Sequence, residues 1–352
     1  MIGVRSSLLV AYSLAMTHAC SNFLLESGGS DFVVSARTMD LGPGLSFGVS
    51  TAPAGSKIGG ANLGSDSSDY GFVGFVPIEA GLVLEHFVTA GMNTAGVSCD
   101  QQTLLGTVYP NKTGNASTDV AIDFFCERVL ARFNDTAQLS AAIAERHLTP
   151  HGPSIAGGQH FVIRDARGES LVVEFTDGTV SVFADHNDGG TSGFGILTNE
   201  PNFQWHVENV RHASWKLENA RPSFTIPGAY YPDERFLRIH LLKKGLPKPV
   251  ATREAIQQAV HVLNSITVPA GAQMGTDSSK GEGQGDHTMF GVIYDHKRLE
   301  IYWRTEANQN LQRIRLADAK LEVGAARGSL AFGMAKNELP YFHDASAAIV
   351  RK

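Results

Sequence analysis

The stretch CSNFLLESGGSDFVVSARTMD, residues 20–40, decides how the rest of the chain is read. Two apolar-rich runs flank Ser-Gly-Gly-Ser, the pattern of two strands joined by a tight turn. A two-residue turn on Gly28-Gly29 would bring Cys20 opposite Arg37, and directly opposed side chains share a face. A guanidinium beside a thiol favours the thiolate. Asp40 lies three residues beyond Arg37, just past the strand end that holds Cys20, within reach of an α-amine on Cys20.

The residues upstream say how such an amine would arise. Arg5 gives a positive flank, Ser7 to Met16 (SLLVAYSLAM) is a short apolar core, and Thr17 and Ala19 are small residues at −3 and −1 of a cut before Cys20. Residues 1–19 therefore read as a signal peptide, leaving 20–352 as one domain that is secreted or periplasmic. The apolar run is shorter than the roughly 20 residues of a membrane span, and no other segment reaches that length. A lipoprotein cut before Cys20 is the rival reading, although His18 at −2 fits it poorly. After a simple cut, one residue carries both nucleophile and base. A free α-amine has a pKa of about 7.7–8.0, suited to taking the thiol proton and later protonating a leaving amine. The leader would then also mask the enzyme.

Composition narrows the class. In 352 residues, 43% are hydrophobic, enough for a large core, and 18% are charged, as in ordinary globular proteins. A net charge of −6 without a basic stripe argues against nucleic acid as a partner. Besides Cys20 there are two cysteines. Cys99 falls on a strand pattern and Cys126 on a helical one; both are read as buried core thiols, with their pairing open.

Along the chain, strand-like and helix-like blocks come in groups. Strand candidates are CSNFLLE, DFVVSART, GFVGFVPI, GLVLEHFVTA and AGVSCDQQTLL. The spacing predicts a helix over 118–133, with Ile122, Phe125 and Val129 on one face, and a second helix in TAQLSAAIAERH. QHFVIRD, SLVVEFT, VSVFAD and FGILTNE form a second strand group. WHVENVRHASWKLENA, a helix opened by Pro232, and REAIQQAVHVLNS capped by Thr252 form a second helical group. Strands around HTMFGVIYD, RLEIYWRT and LQRIRL close the chain. Two strand groups and two helix groups predict an α+β fold, a four-layer αββα sandwich of two antiparallel sheets flanked by helices. Gly-rich stretches 56–71 and 273–286 read as long loops bordering a site.

Together, CSNF, SARTMD (35–40), GMNTAGVS (91–98), VIRDARGESLVVE (162–174), ILTNEPNFQWH (196–206) and DERFLR (233–238) resemble the choloylglycine hydrolase and penicillin V acylase family of N-terminal nucleophile hydrolases. The resemblance is greatest to its exported branch and runs from Cys20 to about Leu316. It implies Cys20 as nucleophile, Arg37 holding and polarising it, Asp40 orienting the α-amine, Asn199 donating to the oxyanion and Arg235 completing the charge network. It further implies a second oxyanion donor, a backbone N–H on the strand after GMN, which counting from Asn93 puts near Thr103. The family usually has a larger or amide side chain there, and Ser21 stands where it commonly has Thr. The resemblance also implies a small-molecule N-acyl substrate, such as a conjugated bile salt, penicillin V or an acyl homoserine lactone, and a homo-oligomer, a tetramer. Phe72, Phe203 and Trp205 are candidate pocket liners.

Other chemistry finds little support. GEGQG and GTSGFG lack the strand and helix that a phosphate loop needs, and GxSxG is absent. There is no HExxH; Pro150 separates His147 from His151, which read as surface residues, so neither a metal nor a cofactor is expected. Asn111, Asn115 and Asn134 fit the glycosylation rule, which matters in a eukaryotic source. The resemblance, together with the chemistry of the hairpin, implies hydrolysis of linear, non-peptide amides through a thioester. Two other readings stay open: an N-acyl lipid amidase of the acid-amidase type, and a catalytically dead secreted or lipid-anchored binding protein.

Overall fold

The computed structural model describes residues 20–26, 31–42, 45–59, 66–185, 193–219, 226–272 and 285–332. Residues 1–19, read above as a leader, Gly28-Gly29, read as a turn, residues 60–65 of the first Gly-rich stretch and 273–284 of the second lie outside the described residues. The strands are β1 (Ser21–Glu26), β2 (Val33–Leu41), β3 (Ser46–Ala52), β4 (Phe72–Glu79), β5 (Leu82–Val83), β6 (Ala90–Asn93), β7 (Ser98–Thr103), β8 (Asp119–Ala121), β9 (Thr149–His151), β10 (Gln159–Arg164), β11 (Ser170–Thr176), β12 (Thr179–Ala184), β13 (Ile196–Thr198), β14 (His287–Asp295), β15 (Glu300–Thr305), β16 (Gln312–Arg315) and β17 (Gly328–Ala331). The α-helices are α1 (Phe125–Arg132), α2 (Thr136–Ala144), α3 (Phe203–Asn219), α4 (Pro232–Gly245) and α5 (Thr252–Ile266).

One sheet runs β13-β1-β2-β14-β15-β16, with every neighbour antiparallel. The other runs β12-β11-β10-β7-β6-β4-β3-β17, with β5 on β4. Helices α4 and α5 pack on the first sheet and α3 on α4, while α1 and α2 pack on the second sheet. The order is helix, sheet, sheet, helix, as the strand and helix groups predict.

Alternation explains why the layers form. In β1 and β2, Phe23, Leu25, Val34 and Ala36 join Phe236, Ile239, Ala259 and Leu263 in one buried cluster. The intervening positions Cys20 and Met39 join Phe47, Phe75, Phe290 and Trp303 in another. A third cluster, containing Phe125, Val129 and Leu130, fills the space under α1.

Several expectations are corrected. Residues 118–133 do not form one helix. Asp119–Ala121 pair in parallel with Thr149–His151, and a short 3-10 turn, Ile122–Phe124, precedes α1. The Asp119 carboxylate draws this segment out of the helix by accepting from the amides of Thr113 and Gly114 and the hydroxyls of Thr113 and Thr149. GLVLEHFVTA supplies only the two-residue β5 and the first residue of β6. The cap of α5 is Ala251; Thr252 is its first helical residue. His151 is buried on β9 rather than exposed. Cys99 and Cys126 are not free thiols: a disulfide joins them, tying β7 to α1. Helix α1 lies across β7, so two residues far apart in the chain are stacked in one cluster.

The disulfide closes a loop with a sequence separation of 27. A Cys99→Ala/Cys126→Ala chain is therefore expected to lose about 3 kcal/mol of unfolding free energy in denaturant titration. Thiol titration of the unfolded parent should count a single reactive group, Cys20.

Candidate active site

Ser21 pairs with Thr38, and Asn22 with Arg37. The hairpin register is thus displaced by two residues from the one that a two-residue turn on Gly28-Gly29 sets, with Glu26 pairing with Val33. An even displacement keeps every side chain on its face. Cys20 and Arg37 therefore still share a face, as diagonal rather than direct neighbours. The long guanidinium spans the gap: Arg37 Nη2 stands 3.5 Å from both Cys20 Sγ and Met39 Sδ. Arg37 Nη1 donates to Thr89 O at 2.8 Å, and its Nε and Nη2 reach Thr38 O, each at 3.2 Å.

Asp40 occupies the other face of β2. Its Oδ2 accepts from the Thr38 hydroxyl at 3.1 Å and its Oδ1 from Thr288 at 2.6 Å. Thr288 is opposite Asp40 only because the ladder shifts between Thr288 and Phe290. This bulge re-aims one side chain at a strand end. Without it, Met289 would occupy that position. Ser21 N–H donates to Thr38 Oγ1 on the same face. The backbone nitrogen side of Cys20 thus lies toward Asp40, and its thiol lies between the sheets.

Asn199 follows β13, whose Thr198 pairs with Ser21, so it is the next residue alongside Cys20. Its Nδ2 donates to Thr103 O at 2.9 Å, and its Oδ1 accepts from Arg235 Nη2 at 2.9 Å. The amide keeps a second N–H for another acceptor. Along β7, Gln101 N–H donates to Thr89 O and Leu104 N–H to Gly158 O. Successive amides point to opposite sides of a strand, so the Thr103 N–H points the same way as that of Gln101, toward Asn199. Arg235, on α4, donates to Cys20 O at 2.6 Å, contacts Ser21 Oγ and is held by Tyr230 O at 2.9 Å. The structure therefore brings together Cys20, Arg37, Asp40, Asn199, Arg235 and Thr103.

The electrostatics follow from burial. Burial pushes the Cys20 thiol pKa up; Arg37 is the largest influence pulling it down, Asp40 raises it and Arg235 lowers it. Burial also raises the Asp40 carboxyl to about 6, opposed by Arg235, the two threonine hydroxyls and Arg37. In the chain that retains residues 1–19, Cys20 carries a peptide nitrogen, not an amine, so Asp40 lacks that cation.

The aromatic candidates are not gathered here. Phe72 is buried under α1 with Cys99 and Phe125, in a cluster separate from that of Cys20. Phe203 and Val207 on α3 line a groove of about 590 Å³ with Val182 and Phe183, and none of the six residues above lines it. Trp205 is 45% exposed on α3. The apolar neighbours of Cys20 are Met39 and, one strand further, Phe290, packed on Phe47 and Phe75. Sequence reasoning also missed supporting residues. Thr288 and Thr38 hold Asp40. Glu174 accepts from Phe203 N–H and meets His160 at 3.0 Å, while His206 Nε2 meets Asn199 O at 3.0 Å; these contacts fix the turn that carries Asn199. A polar residue in an otherwise apolar strand, such as Glu174 in SLVVEFT, was the available signal.

Two antiparallel sheets packed face to face and flanked by helices, with a buried cysteine beside a guanidinium at a strand end, form the N-terminal nucleophile hydrolase fold. Residues 20–328 match the model of the linear amide C–N hydrolases, choloylglycine hydrolase family, and the chain belongs to that family. It is 27% identical over 246 residues to an uncharacterised protein of Paramecium bursaria Chlorella virus 1, covering 67% of this chain and 81% of the relative. It is 24% identical over 253 residues to a bile salt hydrolase/transferase of Clostridium perfringens, covering 66% and 73%. Among solved structures, a conjugated bile acid hydrolase of Clostridium perfringens has a TM-score of 0.73 at 21% identity, covering 88% of this chain and 96% of that one. The penicillin V acylase of Agrobacterium tumefaciens has a TM-score of 0.72 at 22% identity, covering 88% and 91%.

The Asp40 pKa carries a stability consequence. It is raised in the fold from 3.8 to about 6, so the folded state holds the proton more tightly. Ionised Asp40 therefore subtracts stability at neutral pH, and the cost fades as pH falls from about 6 to about 4. In a chain retaining residues 1–19, Asp40→Asn should gain about 2–3 kcal/mol at pH 7 and nothing near pH 4, read from urea midpoints. Equal midpoints at pH 7 would contradict the burial argument.

Proposed function

We propose that this chain is exported, that a cut before Cys20 frees its α-amine, and that the mature protein hydrolyses N-acyl amides through Cys20. The observation that carries the reading is the convergence of the Cys20 thiol, Arg37 and the Asn199–Thr103 pair at one buried strand end. The α-amine takes the thiol proton as Sγ attacks the amide carbon. The oxyanion is received by the second N–H of Asn199 and the Thr103 N–H, donors already fixed in place. The amine passes its proton to the leaving nitrogen, and the C–N bond breaks to leave a thioester. Water then attacks the thioester, gives a proton back through the amine, and releases the carboxylic acid. Asp40 holds the amine, and Arg235 orients Asn199 and the Cys20 carbonyl.

Met39, Phe290, Phe75 and Phe47 extend from the thiol as an apolar wall, which favours an apolar acyl half over a charged one. Among the N-acyl compounds handled by relatives, bile salts and penicillin V both offer such a half. Asn111, Asn115 and Asn134 are exposed, as glycosylation would require.

Intact mass and N-terminal sequencing of the exported protein, before and after a small thiol probe, test the reading. A chain starting at unmodified Cys20, labelled once and not labelled in Cys20→Ala, is expected; a different start or an acylated Cys20 removes the base and with it the mechanism. With activity on a phenoxyacetyl or bile-salt amide in hand, Asn199→Ala should lower kcat by about 10²–10³-fold with a smaller change in KM.

A further inference from the structure

Asp100 is buried on β7, next in the strand after the disulfide-bonded Cys99, and the mechanism above does not use it. We propose that Asp100 is a positioning residue that sets, through Arg37, the acidity of the Cys20 thiol. The proposal rests on the reading of Cys20 as the nucleophile.

The geometry gives Asp100 the role of a fixed counter-charge. Its Oδ1 lies 3.9 Å from Arg37 Nη1 and accepts from the Tyr294 hydroxyl at 2.9 Å. Its Oδ2 accepts from Asn22 Nδ2 at 2.8 Å. The Asn22 amide cannot be reversed, because its Oδ1 accepts from Arg164. Both carboxylate oxygens therefore face donors, the arrangement that favours the ionised acid.

Arg37 does not need Asp100 to hold its place. Its Nη1 is fixed by Thr89 O, and its Nε and Nη2 by Thr38 O. At 3.9 Å the carboxylate is an ion-pair partner, not a hydrogen-bond acceptor. It supplies field, in a layer where all three groups are shielded from water. Arg37 pulls the thiol toward thiolate, and Asp100 offsets part of that pull.

The offset has a chemical use. A thiol made very acidic is a poorer nucleophile, because nucleophilicity falls with pKa. It would also lose its proton before attack, leaving the α-amine charged from the start. The groups that bear on the thiol are Arg37, Asp40 and Arg235, joined after processing by the α-amine. Those that bear on Asp100 are Arg37, Arg164 and Tyr294, and Arg164 in turn faces Asp185 at 3.7 Å. Burial raises the Asp100 pKa from its ordinary value, and Arg37 is the largest influence opposing the rise, so the two charges are coupled.

The test is the pH dependence of Cys20 alkylation by iodoacetamide in the processed protein, with the labelled residue identified by mass. Asp100→Asn is expected to move the apparent thiol pKa down by about one unit, and the acid limb of the kcat/KM profile with it. Asp100→Glu, which keeps the charge, should restore the parent value. Tyr294→Phe preserves shape and removes one donor from the carboxylate; it should give a smaller downward shift and serves where Asp100→Asn does not fold. An unmoved pKa in Asp100→Asn, an equal shift in Asp100→Glu, or no downward shift in Tyr294→Phe overturns the proposal. A parent protein that is not alkylated at Cys20 overturns instead the reading of Cys20 as nucleophile.

Discussion

Arg37 carries a full positive charge at 0% exposure between two sheets, and the surrounding structure has to answer that charge. A buried guanidinium is tolerated only where its donors find acceptors and its charge finds an opposite. Thr89 O and Thr38 O supply the acceptors, one from each sheet, and Asp100 supplies the charge. The remaining side of the guanidinium faces Sγ and the Met39 sulfur. Both sheets thus converge on one cation, and the thiol is the soft partner left to it.

The end of β1 works because a strand has two faces. The thiol of Cys20 enters the layer between the sheets, where Arg37, Asn199 and the edge of β7 meet it. The opposite face, toward α4, holds Ser21, Thr38, Asp40 and Arg235. An α-amine formed at this position would stand at the junction, able to reach the thiol on its own residue and a carboxylate on the next strand. The bulge at Met289 completes the second face by turning Thr288 toward Asp40. The thiol and the nitrogen of Cys20 are therefore kept apart by the pleat and joined by one Cα.

The arrangement costs stability. Asp40 is ionised above about pH 6 in a site that gives it hydroxyls and a shared Arg235 rather than a dedicated cation. Gln102, His160 Nε2 and His206 Nδ1 are buried without a hydrogen-bond partner among the described residues. Such groups concentrate at functional sites, where charge and polarity are held for chemistry. The apolar clusters on either side, and the disulfide between β7 and α1, lie where they can offset the expense.

How much of this was legible in the chain depends on the range of each interaction. The strand and helix groups, and hence the layer order, follow from local periodicity. The shared face of Cys20 and Arg37 follows from the parity of their separation, which survives a register displacement by two. The exact partner of each strand residue does not, because the observed register, Glu26 opposite Val33, is not the one that a turn on Gly28-Gly29 would set. The helix over 118–133 failed for a related reason: Asp119 finds backbone donors and a parallel strand that no local pattern announces. Phe72 and Trp205 were misjudged because an aromatic residue looks the same in any core or on a helix surface. The sequence determined that Cys20, Arg37 and Asp40 meet at one strand end, since a few residues and a two-residue period are enough to place them. Only the tertiary structure decided that Thr103, Asn199, Arg235 and Asp100 close around them and that Cys99 bonds Cys126. Those contacts depend on which face of one sheet packs against which strand of the other, and long-range packing sets that.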